Sequence, residues 1–282
     1  MTAPVAERPV TELVEALRAN VAAHPSAVVA YSGGVDSTVV LQVAADVLGD
    51  RALGVMGISP SVAPAEVSHA RALAETRGLP LLAVDTDEMS DPDYVANPRT
   101  RCFHCKQELY GVCRTVAAER GLAVLLNGTN ADDTGDWRPG LKAADEAGVA
   151  SPLLECGLSK ADVRRVAEHL GLPNHDKPAL ACLASRLPYG TAVTPERLAA
   201  VDRVETHLRR LGFREVRARH HGPEVRLEVE APRVPELERI LASGGLEEVV
   251  RQAGFSRAAV EPDGYRMGRL NGTAPSAPLD RS

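Results

Sequence analysis

Two stretches of this 282-residue chain carry reactive or ligand-binding residue types at telling spacings. Ser32-Gly33-Gly34-Val35-Asp36-Ser37 follows the apolar run from Ala27 to Tyr31 and precedes apolar residues at helical spacing, so it reads as strand, turn and helix. Adjacent glycines remove the Cβ atoms that would hold backbone N–H groups away from a phosphate, and a helix start adds the positive end of its dipole. Ser32 and Ser37 supply hydroxyls, and Asp36 can cap the helix or support Mg2+. Any α/β protein needs a tight strand-to-helix turn, but here nearly every position suits a phosphate, and no Gly-Lys-Ser/Thr follows to make a Walker A loop. The second stretch is Cys102-Phe103-His104-Cys105, ahead of a helix predicted from about Gln107 to Glu119. Thiols at this spacing near a helix start can share one metal or redox partner, and the dipole favours thiolate. A single CxxC does not complete a four-cysteine zinc site.

Other candidates are less self-evident. Cys182 sits in a run of small residues between Lys177 and Ser185-Arg186; a buried structural thiol is the default there, against which stand the two cations and the lack of any regular period. Cys113, among Leu109, Val112 and Val116, reads as core, and Cys156 likewise. The polar stretch Asn127 to Asp133 is either a plain loop or a set of contacts in which Asn130 and Asp132 meet a nucleotide, its Mg2+ or a second substrate. Arg138 and Lys142 offer charge to anions. Between 214 and 230, Val216, Ala218, Val225, Leu227 and Val229 alternate with Arg217, Arg219, Arg226, Glu228 and Glu230. The charged face is either a solvated hairpin with cross-strand ion pairs or, through Arg217 and Arg219, a clamp for phosphate or carboxylate.

The elements that must position these groups alternate as strands (27–31, 52–59, 80–85, 122–126) and helices (11–23, 64–77, 159–170), which predicts a parallel sheet binding its ligand at the carboxyl ends of the strands. From Thr194 the pattern changes to a smaller α+β domain. The expected division is 1–190, 191–270 and a polar, disordered tail at 271–282. With 32 basic and 38 acidic residues the net charge is −6, which removes a global funnel for nucleic acid, and 3% aromatic content leaves little for base stacking. Without a signal-like segment or a long apolar run, the expectation is a soluble cytoplasmic protein with no membrane partner. Five cysteines then read as thiols or metal ligands.

The SGGVDS string resembles the PP-loop of the N-type ATP pyrophosphatases, which release pyrophosphate while adenylating a substrate. Taken together, AYSGGVDST, NPRTRCFHCK, NGTNADDTGDWRPGLKAA, SPLLECGLSKADVR, KPALACLASRLPYG and VRARHHGPEVRLEV resemble the LarE family, ATP-dependent sacrificial sulfur transferases of nickel-pincer cofactor synthesis. The resemblance runs over most of the chain. It implies a PP-loop domain that adenylates a carboxylate of a nicotinate-derived mononucleotide, with ATP and Mg2+, and makes a thiocarboxylate. It places pyrophosphate on Ser32, Gly33, Gly34 and Ser37, adenine beside Ile58 and Ser59, and substrate near Asn130, Asp132, Arg138, Ser185, Arg186, Arg217 and Arg219. Glu205 and Glu228 become candidates for a divalent ion near a subunit interface, in a homo-oligomer such as a hexamer. Sulfur comes either from a sacrificed Cys182 or from a 4Fe-4S cluster on Cys102, Cys105 and Cys182. Two rivals remain: a tRNA thiolase of the same superfamily, and a non-enzymatic nucleotide-binding or sulfur-carrier module.

Overall fold

The apolar run Ala27–Ala30 (β1) is buried on both faces because it becomes an inner strand. The computed structural model describes residues 8–135, 139–178 and 181–266. Arg138 and the 271–282 tail lie outside these. Two units divide the chain: one reaches Tyr94 and resumes over Arg99–Ala181, and the other takes Val95–Pro98 and the chain from Cys182 onward.

In the first unit α1 (Val10–Ala22) precedes β1, followed by α2 (Val35–Leu48), β2 (Ala52–Ile58), α3 (Pro64–Thr76) and β3 (Leu81–Asp85). Next come α4 (Pro92–Val95), α5 (Arg101–Arg120), β4 (Val124–Leu126), α6 (Pro139–Glu146), α7 (Pro152–Glu155) and α8 (Lys160–His169). The sheet order is β3-β2-β1-β4 with every pair parallel, as the alternation predicted. Pleating sends Ala27 and Val29 into one apolar cluster with Leu13, Leu17, Val39, Leu41 and Val163, and Val28 into another with Cys113, Val116 and Leu125. The chain leaves β1 for β2 and β3 on one side and returns to β4 on the other. The carboxyl end of β1 is therefore a topological switch point, where the backbone leaves room for a ligand, and SGGVDS lies there.

The helix α5 starts at Arg101, earlier than the predicted Gln107, so Cys102 and Cys105 lie within its first two turns. Arg, Cys and His give this end no apolar period, which hid it. The start of α8 was legible: Ser159 accepts from the Asp162 N–H while the Asp162 carboxylate accepts from the Ser159 N–H, a full capping box. This cap fixes where Lys160, the first helical residue, begins.

The second unit contains α9 (Pro195–Arg210), β5 (Arg217–His221), β6 (Glu224–Glu228), α10 (Val234–Ala242), α11 (Glu247–Gln252) and β7 (Arg257–Val260). Its sheet order is β5-β6-β7, antiparallel then parallel, with Gly222 at φ +63° making the hairpin turn. Division falls between Ala181 and Cys182, not at the expected 190, and short segments explain it. Asn97 Nδ2 donates to the Pro188 and Thr191 carbonyls at 2.9 Å each, the Gly190 N–H donates to Asn97 O, and the Val193 N–H to Val95 O. These bonds tie the segment after Cys182 to Val95–Pro98. Among the described residues no helix is long and apolar enough to cross a membrane.

Replacing Ser159 by Ala should lower the unfolding free energy by about 1 kcal/mol, the usual worth of an N-cap side chain. Chemical denaturation of the wild type and the variant checks this. A variant with unchanged stability would deny the cap its role in anchoring Lys160.

Candidate active site

The SGGVDS turn is shaped by where its carbonyls go. Gly34 O accepts from the Thr38 N–H at 3.0 Å, Thr38 Oγ1 at 2.8 Å and Ser37 Oγ at 3.2 Å, while Ser37 Oγ accepts from the Ser32 N–H at 3.1 Å. Gly33 O accepts from Asn174 Nδ2 at 3.3 Å and Lys177 Nζ at 3.5 Å. In a trans peptide the carbonyl and the next N–H point opposite ways, so the Gly34 N–H turns toward Ser32 Oγ, 3.4 Å away, on the open side of the loop. Gly33 has φ +71°, and a Cβ there would lie 2.4 Å from Ala70 Cβ of α3. Gly34 has an ordinary φ of −77° and would meet only Ser32 Oγ, at 3.4 Å. Glycine at 33 is thus a demand of the fold, whereas at 34 it leaves room above an N–H.

Around this loop the first unit gathers charge. Asp36, in the first turn of α2, accepts from Asn130 Nδ2 at 3.3 Å and is ion-paired with Lys160. The Lys160 N–H donates to Asp132 at 2.8 Å, and the Asp132 N–H to Asn130 Oδ1 at 3.0 Å. Asn130 and Asp132 therefore belong to the loop's surroundings. Gly128 makes this possible, since a Cβ there would stand 2.7 Å from the Ser37 nitrogen. Lys177 is paired with Glu66 at 2.7 Å, and Arg164 holds the His175 and Lys177 carbonyls at 3.0 and 2.9 Å. Sequence pattern alone does not mark Lys160, Asn174 or Gly128 as parts of a site. The one available signal for Lys160 is the capping box that precedes it.

At the end of β2, the Thr86 N–H donates to Ile58 O at 2.9 Å, and Ser59 Oγ donates to the buried Glu88 at 2.5 Å. Ile58 and Ser59 are both half-buried at the carboxyl edge of the sheet.

The five cysteines are thiols with different surroundings. Burial pushes Cys113 up to about 11, and burial, then Glu155, raises Cys156, whose Sγ lies 3.6 Å from Ala16 O. Cys113 is a core thiol, as its apolar neighbours in the sequence suggest, whereas Cys156 is half-buried and packs against the edge of the core. Cys102 is exposed and Cys105 half-buried, three residues apart on one side of α5. Burial alone would depress the neighbouring Lys106, but Tyr110 and the Cys105, Cys102 and Cys113 thiols outweigh it and raise its pKa, so a cation stands among the thiols. Cys102 and Cys105 belong to the first unit, and the half-buried Cys182 opens the second.

In the second unit the charged face of the hairpin is partly buried: Arg217, Arg219 and Glu228 are buried, while Arg226 and Glu230 are half-buried. Arg186 (2% exposed) makes a bidentate pair with Glu205 (0%), its Nε and Nη2 lying 2.7 and 3.0 Å from the carboxylate. Glu205 also accepts from Arg209 at 2.7 Å and from the Ala218 N–H at 3.0 Å. Arg219 grips Glu228 at 3.2 and 3.0 Å and donates to Ser185 O at 2.9 Å. Glu205 and Glu228, the candidate divalent-ion residues, are thus both engaged by guanidinium groups, with which a divalent ion would have to compete. Arg186 holds the Cys182 carbonyl at 3.1 Å and Ser185 Oγ at 2.9 Å, so it fixes the turn following the thiol. Burial would raise Glu205, but the Arg186 hydrogen bonds and charge win and hold its carboxyl below the ordinary range. Arg217 is as buried as Arg219 yet makes no ion pair among the described residues.

A parallel α/β sheet with SGGVDS at its switch point and cations beside the loop is the architecture of a PP-loop, ATP-using protein. The NAD synthase family model matches residues 9–95. An uncharacterized protein of Synechocystis sp. is 42% identical over 87% of this chain and 91% of its own. Pyridinium-3,5-bisthiocarboxylic acid mononucleotide synthase of Lactiplantibacillus plantarum is 37% identical over 89% of this chain and 91% of its own. A polypeptide of the glutamine-hydrolyzing GMP synthase of Archaeoglobus fulgidus is 27% identical over 62% of this chain and 61% of its own. The chain belongs to the LarE family of ATP-dependent, sulfur-transferring PP-loop enzymes.

Gly33→Ala should lower the melting temperature, through a left-handed φ costing about 1–3 kcal/mol and the contact with Ala70. Gly34→Ala should melt like wild type and still bind ATP at least about tenfold more weakly by calorimetry, a loss of about 1.4 kcal/mol. Glu205→Gln should cost about 3–5 kcal/mol at pH 7, because it leaves Arg186 buried without its charge partner. A folded-state carboxyl held low stabilises above the ordinary carboxylate range, near pH ~4.3, and loses that contribution as pH falls through its folded value. The gap between wild type and Glu205→Gln in denaturant melts should accordingly close on acidification.

Proposed function

We propose that this chain uses ATP to activate a carboxylate of pyridinium-3,5-biscarboxylic acid mononucleotide, a nicotinate-derived nucleotide, and replaces one oxygen by sulfur in nickel-pincer cofactor synthesis. The observation that carries the reading is the loop peptide fixed by Asn174 and Lys177, with its Gly34 N–H turned outward and Lys160 alongside. A carboxylate oxygen attacks the α-phosphorus of ATP and pyrophosphate leaves. Ser32, Gly33, Gly34 and Ser37 hold the departing phosphates, Lys160 and Lys177 offset their charge, and Asp36 supports the Mg2+ that accompanies ATP. Ile58 and Ser59 line the adenine. Asn130, Asp132 and Ser185 meet the substrate, Arg217 and Arg219 take its phosphate, and Arg186 acts through the Cys182 turn.

Esterification with AMP makes the acyl carbon electrophilic. The Cys182 thiolate adds to that carbon and AMP departs, leaving a thioester. Loss of the Cys182 α-proton to a base then breaks the Cβ–S bond, so the thiocarboxylate leaves with the sulfur and dehydroalanine remains. A protein using this route works once. The exposed Cys102 and half-buried Cys105, side by side at the start of α5 with Lys106, favour a second source. Thiolates at that spacing fit an iron–sulfur group, and a 4Fe-4S cluster on Cys102, Cys105 and Cys182 would supply a sulfide in place of the Cys182 sulfur. We place the enzyme in the cytoplasm as a homo-oligomer, a hexamer, working without nucleic acid or membrane.

Pyrophosphate release should depend on the pyridinium dicarboxylate mononucleotide and not on tRNA; the reverse would make the chain a tRNA thiolase, and ATP binding with neither would make it a carrier module. Cys182→Ser should still release pyrophosphate but form no thiocarboxylate. Intact mass after turnover should fall by one hydrogen sulfide if Cys182 is sacrificed. Iron and sulfide reconstitution giving charge-transfer absorbance that Cys102→Ser abolishes, with repeated turnover and no mass loss, would assign the sulfur to the cluster.

A further inference from the structure

Arg217 is an energetic anomaly in the second unit. It is 5% exposed and, among the described residues, has no acid partner, whereas the neighbouring buried Arg186 has Glu205 and Arg219 has Glu228. Its named hydrogen bonds are from Nη1 to Val216 O at 2.7 Å and from Nη2 to the Tyr265 hydroxyl at 3.4 Å. Burial, then the charge of Arg186, pulls its pKa down, and Tyr265 opposes them. The Tyr265 ring covers the guanidinium, with the carbon of that group 4.6 Å from the ring centroid. An aromatic face attracts a cation most strongly where water is excluded.

The ring is set in place by main chain, independently of Arg217. The Tyr265 N–H donates to Val229 O at 2.7 Å and the Gly264 N–H to Glu261 O at 3.0 Å. Gly264 has φ +68°, and a Cβ on it would lie 2.8 Å from both Ala231 Cα and Val229 O. Tyr265 is thus pinned by a turn that glycine alone fits, and its half-buried ring is presented to Arg217 beforehand.

We propose that Tyr265 is a positioning residue of the substrate-phosphate subsite: its ring holds the Arg217 guanidinium flat and charged, so that donors not used by Val216 and Tyr265 remain aimed at a nucleotide monophosphate. This rests on the reading that Arg217 binds the phosphate of the mononucleotide. The ring supplies what a carboxylate would otherwise supply. A carboxylate would neutralise Arg217 and repel the phosphate, whereas a π face stabilises the cation and leaves its charge for the ligand.

The test is the first-turnover rate of pyrophosphate release by the full chain, KM and kcat being the half-saturating concentration and limiting rate of that turnover, with the pyridinium dicarboxylate mononucleotide and with the corresponding nucleoside, which lacks the phosphate. Tyr265→Leu should raise the KM of the mononucleotide about tenfold, equivalent to about 1.4 kcal/mol, with kcat held. Tyr265→Phe should restore KM to within about twofold, the nucleoside KM should not respond, and Tyr265→Leu should add nothing in an Arg217→Gln background. Successive fluorination of a phenylalanine at 265, which drains the ring face while keeping its shape, should raise KM stepwise and covers the case in which Tyr265→Leu does not fold. A KM indifferent to ring fluorination, or an equal loss for nucleoside and mononucleotide, overturns the proposal. If Arg217→Gln itself leaves the mononucleotide KM unchanged, the phosphate reading of Arg217 fails and this inference falls with it. If Arg217→Gln raises KM while fluorination does nothing, the inference alone fails.

Discussion

The Gly33 carbonyl must find donors. It lies in a turn at the carboxyl end of an inner strand, beside α3, where a peptide oxygen without a partner costs free energy that no neighbouring contact returns. Asn174 and Lys177 supply those donors from a segment far along the chain. By holding the oxygen they decide which way the following N–H points, the direction on which the proposed phosphate role of the loop depends. The rest of the first unit then follows as support. Arg164 on α8 holds the carbonyls of the segment that carries Lys177, and the Ser159 cap fixes the start of that helix. The same start delivers Lys160 to Asp36. One helix therefore sets the positions of two cations beside one loop.

The second unit solves a different problem, since among its described residues it buries Arg186, Arg217 and Arg219 alongside Glu205, Glu228 and Glu261. Arg186 and Arg209 share Glu205, and Arg219 takes Glu228. Buried ion pairs of this kind contribute little net stability compared with an apolar core, yet they fix geometry sharply, because breaking one leaves a charge stranded. Here the fixed geometry is the turn from Leu183 to Arg186, whose guanidinium reaches the Cys182 carbonyl and the Ser185 hydroxyl. Arg217 remains outside this pairing. A buried guanidinium that makes no ion pair among the described residues, set beside the Tyr265 ring, is what the proposed phosphate subsite rests on.

What the sequence disclosed and what it concealed divide along the range of the interactions. The parallel strands, the SGGVDS turn, the Ser159 cap and the core role of Cys113 rest on local pattern: an apolar run, a glycine pair, a hydroxyl three residues ahead of an acid. Asn174, Lys160 and Gly128 have no such pattern. Each matters through a contact with a loop about ninety residues or more away, as with Lys160 and Asp36 at a separation of 124. Glycine at 128 looks like any turn glycine until α2 is placed against it. The hairpin of Arg217 to Glu228 leaves two readings open in the sequence, a solvated face or an anion clamp, for a related reason. Strict alternation says that two faces differ; it does not say that the polar face meets solvent, and here the segment at 183–186 and Glu205 of α9 cover it. The boundary expected at 190 moved because Asn97, a buried residue with φ +54°, binds the 188–191 turn by contacts that no composition shift announces.

The choice of nucleophile can also be argued from surroundings. A thiol that serves as sulfur donor must be able to ionise and must have its Cβ–S bond accessible to an elimination. Cys113 fails on the first count, since burial holds it near 11, and Cys156 is pushed the same way by burial and by Glu155. Cys102 and Cys105 lie in the first two turns of α5, where flattening an α-carbon to dehydroalanine would disrupt the helical backbone. Cys182 stands just ahead of a short 3-10 turn, with extended φ and ψ of −60° and 159°, and its carbonyl is held by Arg186. That backbone tolerates a planar α-carbon, and the nearby guanidinium draws electron density from the carbonyl, which makes the α-proton easier to remove. In the proposed sulfur transfer the pair on α5 holds, and Cys182 is consumed or completes a ligand set. The same residue is thus the pivot of both sulfur sources, and the chemistry divides on whether the Cβ–S bond breaks.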